Sequence, residues 1–200
     1  MTIVFDLGAV LIDWNPRFLY RQVFADEQVM EDFLMNICHG DWNEQQDAGR
    51  PWSEAIAERS AKFPEYTEEI GLFWSRWTDM LNGPIEGTVE ILKELKEGGR
   101  FRLLALTNWS AETWPYATER YDFLNWFDGI LVSGQEKMKK PSRVIYDRFC
   151  ERFDEQADNL LFIDDSERNV AGARAAGWTA IQYTSPEALR AELKQLGVLN

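Results

Sequence analysis

The chain has 200 residues, 45% of them hydrophobic, which fits one domain or one core carrying an inserted subdomain. A net charge of -13 and an isoelectric point near 4.6 exclude a protein that grips nucleic-acid backbones by bulk electrostatics, since that mode needs a basic face. No apolar run approaches membrane-spanning length, no basic-then-apolar leader precedes the first strand pattern, and Cys38 and Cys150 lack metal-site spacing, so a soluble cytoplasmic protein with buried free thiols is expected.

Ile3, Val4 and Phe5 form a short run of β-branched and aromatic residues, the mark of a strand covered on both faces. Asp6 follows directly. An acid after such a run is costly to bury unpaired, so it belongs at the strand's carboxyl end, where it is solvated, paired or bound to a metal. Gly8 lets the chain turn beside it.

Asn15-Pro16 then offers a cap and a first helical residue, and a helical region runs to about Leu81. Its pieces are a helix near Glu27–Asn36, a polar break at His39–Arg50, a helix capped at Ser53, and an amphipathic helix from Thr67 through Met80. No strand pattern interrupts them. After Asn82-Gly83-Pro84 the pattern alternates. Strands are expected at Arg102–Leu106, Gly129–Val132, Asn159–Ile163 and Thr179–Gln182, with helices near Thr88–Glu97, Pro115–Arg120, Ser142–Arg152, Ser166–Ala176 and Ser185–Leu196. Alternation of this kind predicts an α/β fold: a Rossmann-like parallel sheet core, 1–14 and 84–200, with a helical cap inserted at 15–83.

Ligands of open parallel sheets bind beyond the carboxyl ends of the strands. Those ends carry Asp6, then Thr107-Asn108, then Lys140 in the loop after the third strand, then Asp164-Asp165-Ser166. One rim thus collects an acid able to act as a nucleophile, a hydroxyl, a fixed cation and two further acids. Adjacent acids repel each other unless a cation or hydrogen bonds balance them.

In that order the stretches FDLGAVLIDW, LLALTNWS, KKPSRVIY and LFIDDSERNVAGARAAG resemble the haloacid dehalogenase-like hydrolase superfamily, in its helical-cap branch. That branch includes phosphatases similar to the α-D-glucose-1-phosphate phosphatases and to the N-terminal phosphatase domain of epoxide hydrolases. The resemblance implies a phosphatase that forms an aspartyl-phosphate on Asp6. It implies Mg²⁺ held by Asp6, Asp165 and the Gly8 backbone carbonyl, with Asp164 and Asn169 supporting from behind. Thr107 and Lys140 would hold the phosphoryl oxygens, with Asn108 beside them. A small phosphorylated metabolite, such as a sugar phosphate, is the expected partner of a monomer or weak dimer.

Many phosphatases of the superfamily carry a second aspartate two residues after the nucleophile, where this chain has Gly8. A positioned acid or base contributes about a hundred- to ten-thousandfold in rate. Three readings accommodate its loss: a good leaving group, a proton shuttle from water or the cap, or a protein with poor turnover that serves as a binding or regulatory module. A 2-haloacid dehalogenase, also built on an aspartate nucleophile but needing no metal, is the enzymatic alternative. Specificity would come from the cap. Trp14 and Trp42 are the expected substrate-facing indoles, with Asn43, Trp77, Trp109 and Trp114 nearby. His39, the only histidine, is read as structural.

Overall fold

In the computed structural model, which describes residues 1–200, the core elements are β1 (Thr2–Phe5), β2 (Ile12–Trp14), then after an insert β3 (Leu81–Pro84), α6 (Glu86–Gly98), β4 (Arg102–Thr107), α7 (Trp114–Arg120), β5 (Gly129–Val132), α8 (Ser133–Glu136), α9 (Arg143–Phe153), β6 (Leu160–Asp164), α10 (Glu167–Ala175), β7 (Thr179–Gln182) and α11 (Pro186–Gln195). The insert holds α1 (Pro16–Tyr20), α2 (Glu27–Asn36), α3 (Gly40–Asp47), α4 (Trp52–Lys62) and α5 (Thr67–Ser75). No helix is long and apolar enough to cross a membrane.

Five strands form one parallel sheet in the order β5-β4-β1-β6-β7. β1 is central, with Val4 opposite Leu104 on one side and Phe162 on the other, and its four residues are all buried. A strand enclosed in this way has no polar face, which is why its sequence does not alternate. The chain steps outward from β1 through β4 to β5, then returns to the other side of β1 for β6 and β7. The order therefore reverses between β1 and β6, where a crevice opens beyond the strand ends.

The first and last residues of the expected strands and helices of the core fall within two residues of the observed ones. The insert differs more. Ile12–Trp14 and Leu81–Pro84 pair as a small antiparallel sheet at its base, where the sequence shows only punctuation. Buried Ile12 and the bonds Asn15 N–H to Met80 O (2.9 Å) and Ile85 N–H to Leu11 O (2.9 Å) hold the two chain crossings together. The polar break at His39–Arg50 is largely helix, α3, because Trp42 and Gln46, four residues apart, are both buried. His39 opens it, its Nδ1 accepting the Trp42 N–H at 3.3 Å. Pro51, not Ser53, precedes α4. The helix from Thr67 stops at Ser75, and Trp77–Met80 is a separate 3₁₀ turn. Of the two thiols, Cys38 is buried and Cys150 is partly exposed.

Trp42, Trp52 and Phe73 meet at the centre of the insert, with ring centroids 5.2 to 5.7 Å apart. They join the apolar core on one face of the sheet, so the insert is packed down rather than tethered. Its seam with the core is also polar. Trp52 Nε1 donates to Ser110 Oγ at 3.2 Å, the Trp52 backbone N–H to Glu112 at 2.9 Å, and Ser133 Oγ to the Asp47 carbonyl at 2.6 Å.

Candidate active site

Asp6 sits one residue beyond β1, with its backbone N–H on Ile163 O at 2.8 Å. The strand ladder therefore aims its carboxylate into the crevice. Oδ1 accepts the Leu7 N–H at 2.8 Å and faces Lys140 Nζ at 2.9 Å, while Oδ2 accepts no hydrogen bond. Ala9, at φ 56°, carries the turn that follows, and Gly8 lies beside it.

Lys140 is 1% exposed, and its three N–H donors meet three oxygens. These are Leu106 O at 3.0 Å, Asp164 Oδ2 at 2.6 Å and Asp6 Oδ1 at 2.9 Å. Burial works against its charge, but the carboxylates of Asp164 and Asp6 outweigh it and hold its pKa above the ordinary lysine value. Asn108 clamps the same residue, its Oδ1 accepting the Lys140 N–H at 2.9 Å and its Nδ2 donating to the Lys140 carbonyl at 3.1 Å. Asp164 is saturated: Oδ1 takes the Ser166 N–H at 2.8 Å, and Asn169 Nδ2 lies 3.1 and 3.2 Å from its two oxygens.

Asp6, Asp164 and Asp165 each bring a carboxylate oxygen within 4.8 Å of the others. Two of the three, Asp6 and Asp164, contact the single ammonium of Lys140, so the acids outnumber the cation. Burial, with Asp164 and Asp165 adding to it against the pull of Lys140, raises Asp6 well above the usual carboxylate pKa, and burial and Asp164 raise Asp165 likewise. Such a surplus of hard oxygen donors suits a divalent cation, and Asp6 and Asp165 are the acids with lone pairs to spare. Thr107 completes the rim. It is wholly buried at the end of β4, and its Oγ1 has no hydrogen-bond partner. Buried hydroxyls rarely stay orphaned, so this one has capacity for a ligand oxygen.

A cavity of about 100 Å³ adjoins this rim, and Gly8, Asn108, Trp14, Trp109 and Trp77 are among its lining residues. The indole N–H groups of Trp14 and Trp109 are buried without acceptors. Trp77 packs 5.3 Å from Trp109, and Trp114 backs Trp109 at 5.7 Å. Trp42 does not line the cavity. It is 1% exposed and enclosed by Trp52 and Phe73, so the expectation that it faces a substrate is corrected: the insert needs it as core. Its neighbour Asn43 lines the cavity instead. His39 is occupied at both nitrogens, capping α3 and lying 3.1 Å from Arg59.

A family model described as haloacid dehalogenase-like hydrolase matches residues 1–177. The chain belongs to the haloacid dehalogenase-like hydrolases. The sesquiterpene phosphatase astK of Aspergillus oryzae is 30% identical over 194 residues, covering 96% of this chain and 94% of that protein. Among solved structures, a family enzyme from Bacteroides thetaiotaomicron in complex with magnesium and inorganic phosphate superposes with a TM-score of 0.68 at 20% identity, covering 92% of this chain and 94% of that one. The L-2-haloacid dehalogenase of Xanthobacter autotrophicus, with chloropropionic acid covalently bound, gives 0.66 at 16% identity, covering 100% of this chain and 84% of that one. Phosphatases and dehalogenases of this family thus share the fold described here.

One cavity-lining residue had no motif to announce it. Asp47 ends α3, midway along the insert in sequence, yet it lines the same cavity as Gly8. Burial first, and the Glu44 carboxylate second, push its pKa up to about 7 against the pull of Lys139, Lys140 and the Ser110 backbone.

Proposed function

We propose that this hydrolase is a Mg²⁺-dependent phosphatase that cleaves a small phosphate monoester through an aspartyl-phosphate on Asp6. The single observation that carries the reading is the cluster of three carboxylates, two of them on Lys140, with an orphaned Thr107 hydroxyl at its edge. That arrangement favours a cation and a phosphoryl group arriving together. It disfavours a haloacid, whose own carboxylate would meet uncompensated acids.

Asp6 Oδ2 is free to attack phosphorus, and Lys140 fixes the orientation of its carboxylate. Thr107 Oγ1 donates to a phosphoryl oxygen. Asp164 acts through Lys140, and Asn108 through the Lys140 backbone. Bound to Asp6, Asp165 and the Gly8 carbonyl, Mg²⁺ would neutralise the repulsion between a phosphate dianion and the acid cluster.

The organic part of the substrate occupies the indole-lined cavity. Sugar rings stack on tryptophan faces, which supports a sugar phosphate. Two features favour a second reading, the phosphate of an apolar alcohol: the sesquiterpene phosphatase relationship, and a groove of about 470 Å³ that shares Trp14 and Asn43 with the cavity and runs past Leu34, Met35, Cys38 and Phe73.

The test is phosphate release from a panel of sugar phosphates, isoprenoid alcohol phosphates and p-nitrophenyl phosphate, with Mg²⁺ or EDTA, for the wild type and Asp6→Asn. Chloride release from 2-chloropropionate is followed in parallel. Metal-dependent phosphate release that Asp6→Asn abolishes is expected. Chloride release indifferent to EDTA would make the protein a dehalogenase, and silence in both assays would point to a binding or regulatory module.

A further inference from the structure

Hydrolysis of a phosphate ester through an aspartyl-phosphate requires two proton movements. The departing oxygen takes a proton, and the water that attacks the intermediate gives one up. Gly8 has no side chain for either. An ideal Cβ at Gly8 meets nothing within 4 Å, so a side chain can begin there without displacing a neighbour. Of the residues lining the adjoining cavity, Asp47 is the one carboxylic acid, and no other lining side chain titrates near neutrality.

Asp47 is held against the core on several sides. Its carbonyl accepts Ser133 Oγ at 2.6 Å. Glu44, on the same helix, is ion-paired with both Lys139 and Arg168, the latter at 2.7 Å. Gly49, two residues on, approaches the core so closely that a Cβ there would stand 3.1 Å from Gly134 O and 3.0 Å from Lys137 Cγ. The other charges at this seam are engaged: Glu112 accepts the Trp52 N–H, and Lys140 lies between Asp6 and Asp164.

We propose that Asp47, carried on the insert, is the general acid and base of this enzyme, taking the place of the carboxyl group that Gly8 lacks. The inference rests on the phosphatase reading. As Asp6 Oδ2 bonds to phosphorus and the ester P–O bond breaks, the Asp47 carboxyl passes its proton to the departing oxygen, and a neutral alcohol leaves. The Asp47 carboxylate then takes a proton from water as the water oxygen bonds to phosphorus. The bond between Asp6 and phosphorus breaks with its electron pair returning to the Asp6 carboxylate, phosphate departs, and Asp47 is protonated again. A pKa near 7 lets both forms of Asp47 exist at neutral pH.

The test compares wild type, Asp47→Asn, Asp6→Asn and the double variant Gly8→Asp/Asp47→Asn, on p-nitrophenyl phosphate and on the best alkyl phosphate of the panel. p-Nitrophenolate leaves without a proton donor, whereas an alkoxide does not. Asp47→Asn should therefore lose about a hundred- to ten-thousandfold in alkyl-phosphate turnover. On p-nitrophenyl phosphate it should still release a burst of product and accumulate phosphoryl-Asp6, detectable by mass after an acid quench. Gly8→Asp, whose Cβ meets no neighbour, should restore part of the lost turnover. Alkyl-phosphate turnover comparable to the wild type, or loss of the p-nitrophenol burst together with no rescue by Gly8→Asp, overturns the proposal. Asp6→Asn separates the two layers: an active wild type with a silent Asp6→Asn upholds the phosphatase reading whatever Asp47→Asn does. A silent wild type, or an active Asp6→Asn, removes that reading and the Asp47 proposal with it.

Discussion

Lys140 Nζ stands 2.6 Å from Asp164 Oδ2, and neither side chain is exposed at all. Charges buried this deeply are tolerated only when they are paired and hydrogen-bonded, and here every donor and acceptor has a partner. Removing one partner leaves the other stranded. Asp164→Ala should cost about 3–5 kcal/mol of stability, by the usual penalty for breaking a buried pair. It should also cut activity, because Lys140 would no longer be pinned against Asp6. Urea unfolding of the two proteins checks the first effect. A variant as stable as the wild type would mean that Lys140 swings to water when Asp164 is gone.

Thr107 is the opposite case. Its buried hydroxyl has no partner, so the folded protein already bears the cost of desolvating it. Thr107→Val keeps the shape and removes the polar atom. The melting temperature should hold or rise, while kcat/KM falls by about a hundredfold, the loss typical of one donor to a developing oxyanion. A loss of stability would show that the hydroxyl is satisfied within the fold and is not reserved for a ligand.

Two tryptophans expected to play the same part separate by position. Trp42 is locked among Trp52 and Phe73, so Trp42→Ala should destabilise by about 3–5 kcal/mol, as large aromatic truncations in cores do. Trp14 lines the cavity with an unpartnered N–H. Trp14→Ala should act chiefly on KM and on the preference between substrates. Melting curves beside steady-state kinetics on the panel distinguish the two, and equal effects of both variants on KM would contradict the separation.

These residues also mark how far the sequence could be read. Asp6, Thr107 and Asp164 were legible because each lies at or one residue past the carboxyl end of a strand, and Lys140 because it lies in the connection between β5 and α9; a parallel sheet brings such ends to one rim. Helix α3 was not, since its surface is polar and only Trp42 and Gln46 turn inward. The pair β2 and β3 was missed because three- and four-residue strands containing Asn82-Gly83-Pro84 look like a turn. Asp47 was invisible for a different reason. Nothing near it in sequence relates it to Gly8, and only the folding of the insert onto the core brings both to one cavity.

The raised pKa of Asp47 also bears on stability, independently of catalysis. Its folded-state value, about 7, lies above the ordinary 3.8 expected once the chain unfolds. The folded protein therefore holds a proton that the unfolded chain has lost throughout that window. Its contribution to stability is full below 3.8, declines as pH rises toward about 7, and is flat above, with a slope of at most about 1.4 kcal/mol per pH unit. Asp47→Asn is shaped like the protonated acid and does not titrate. The stability difference, wild type minus variant, should be greatest in acid and shrink through that window, and the subtraction cancels the titrating groups that do not interact with Asp47. Urea melts of both proteins across the window measure it. A difference independent of pH would mean that Asp47 ionises normally in the folded protein, reaching water through the cavity that it shares with Gly8.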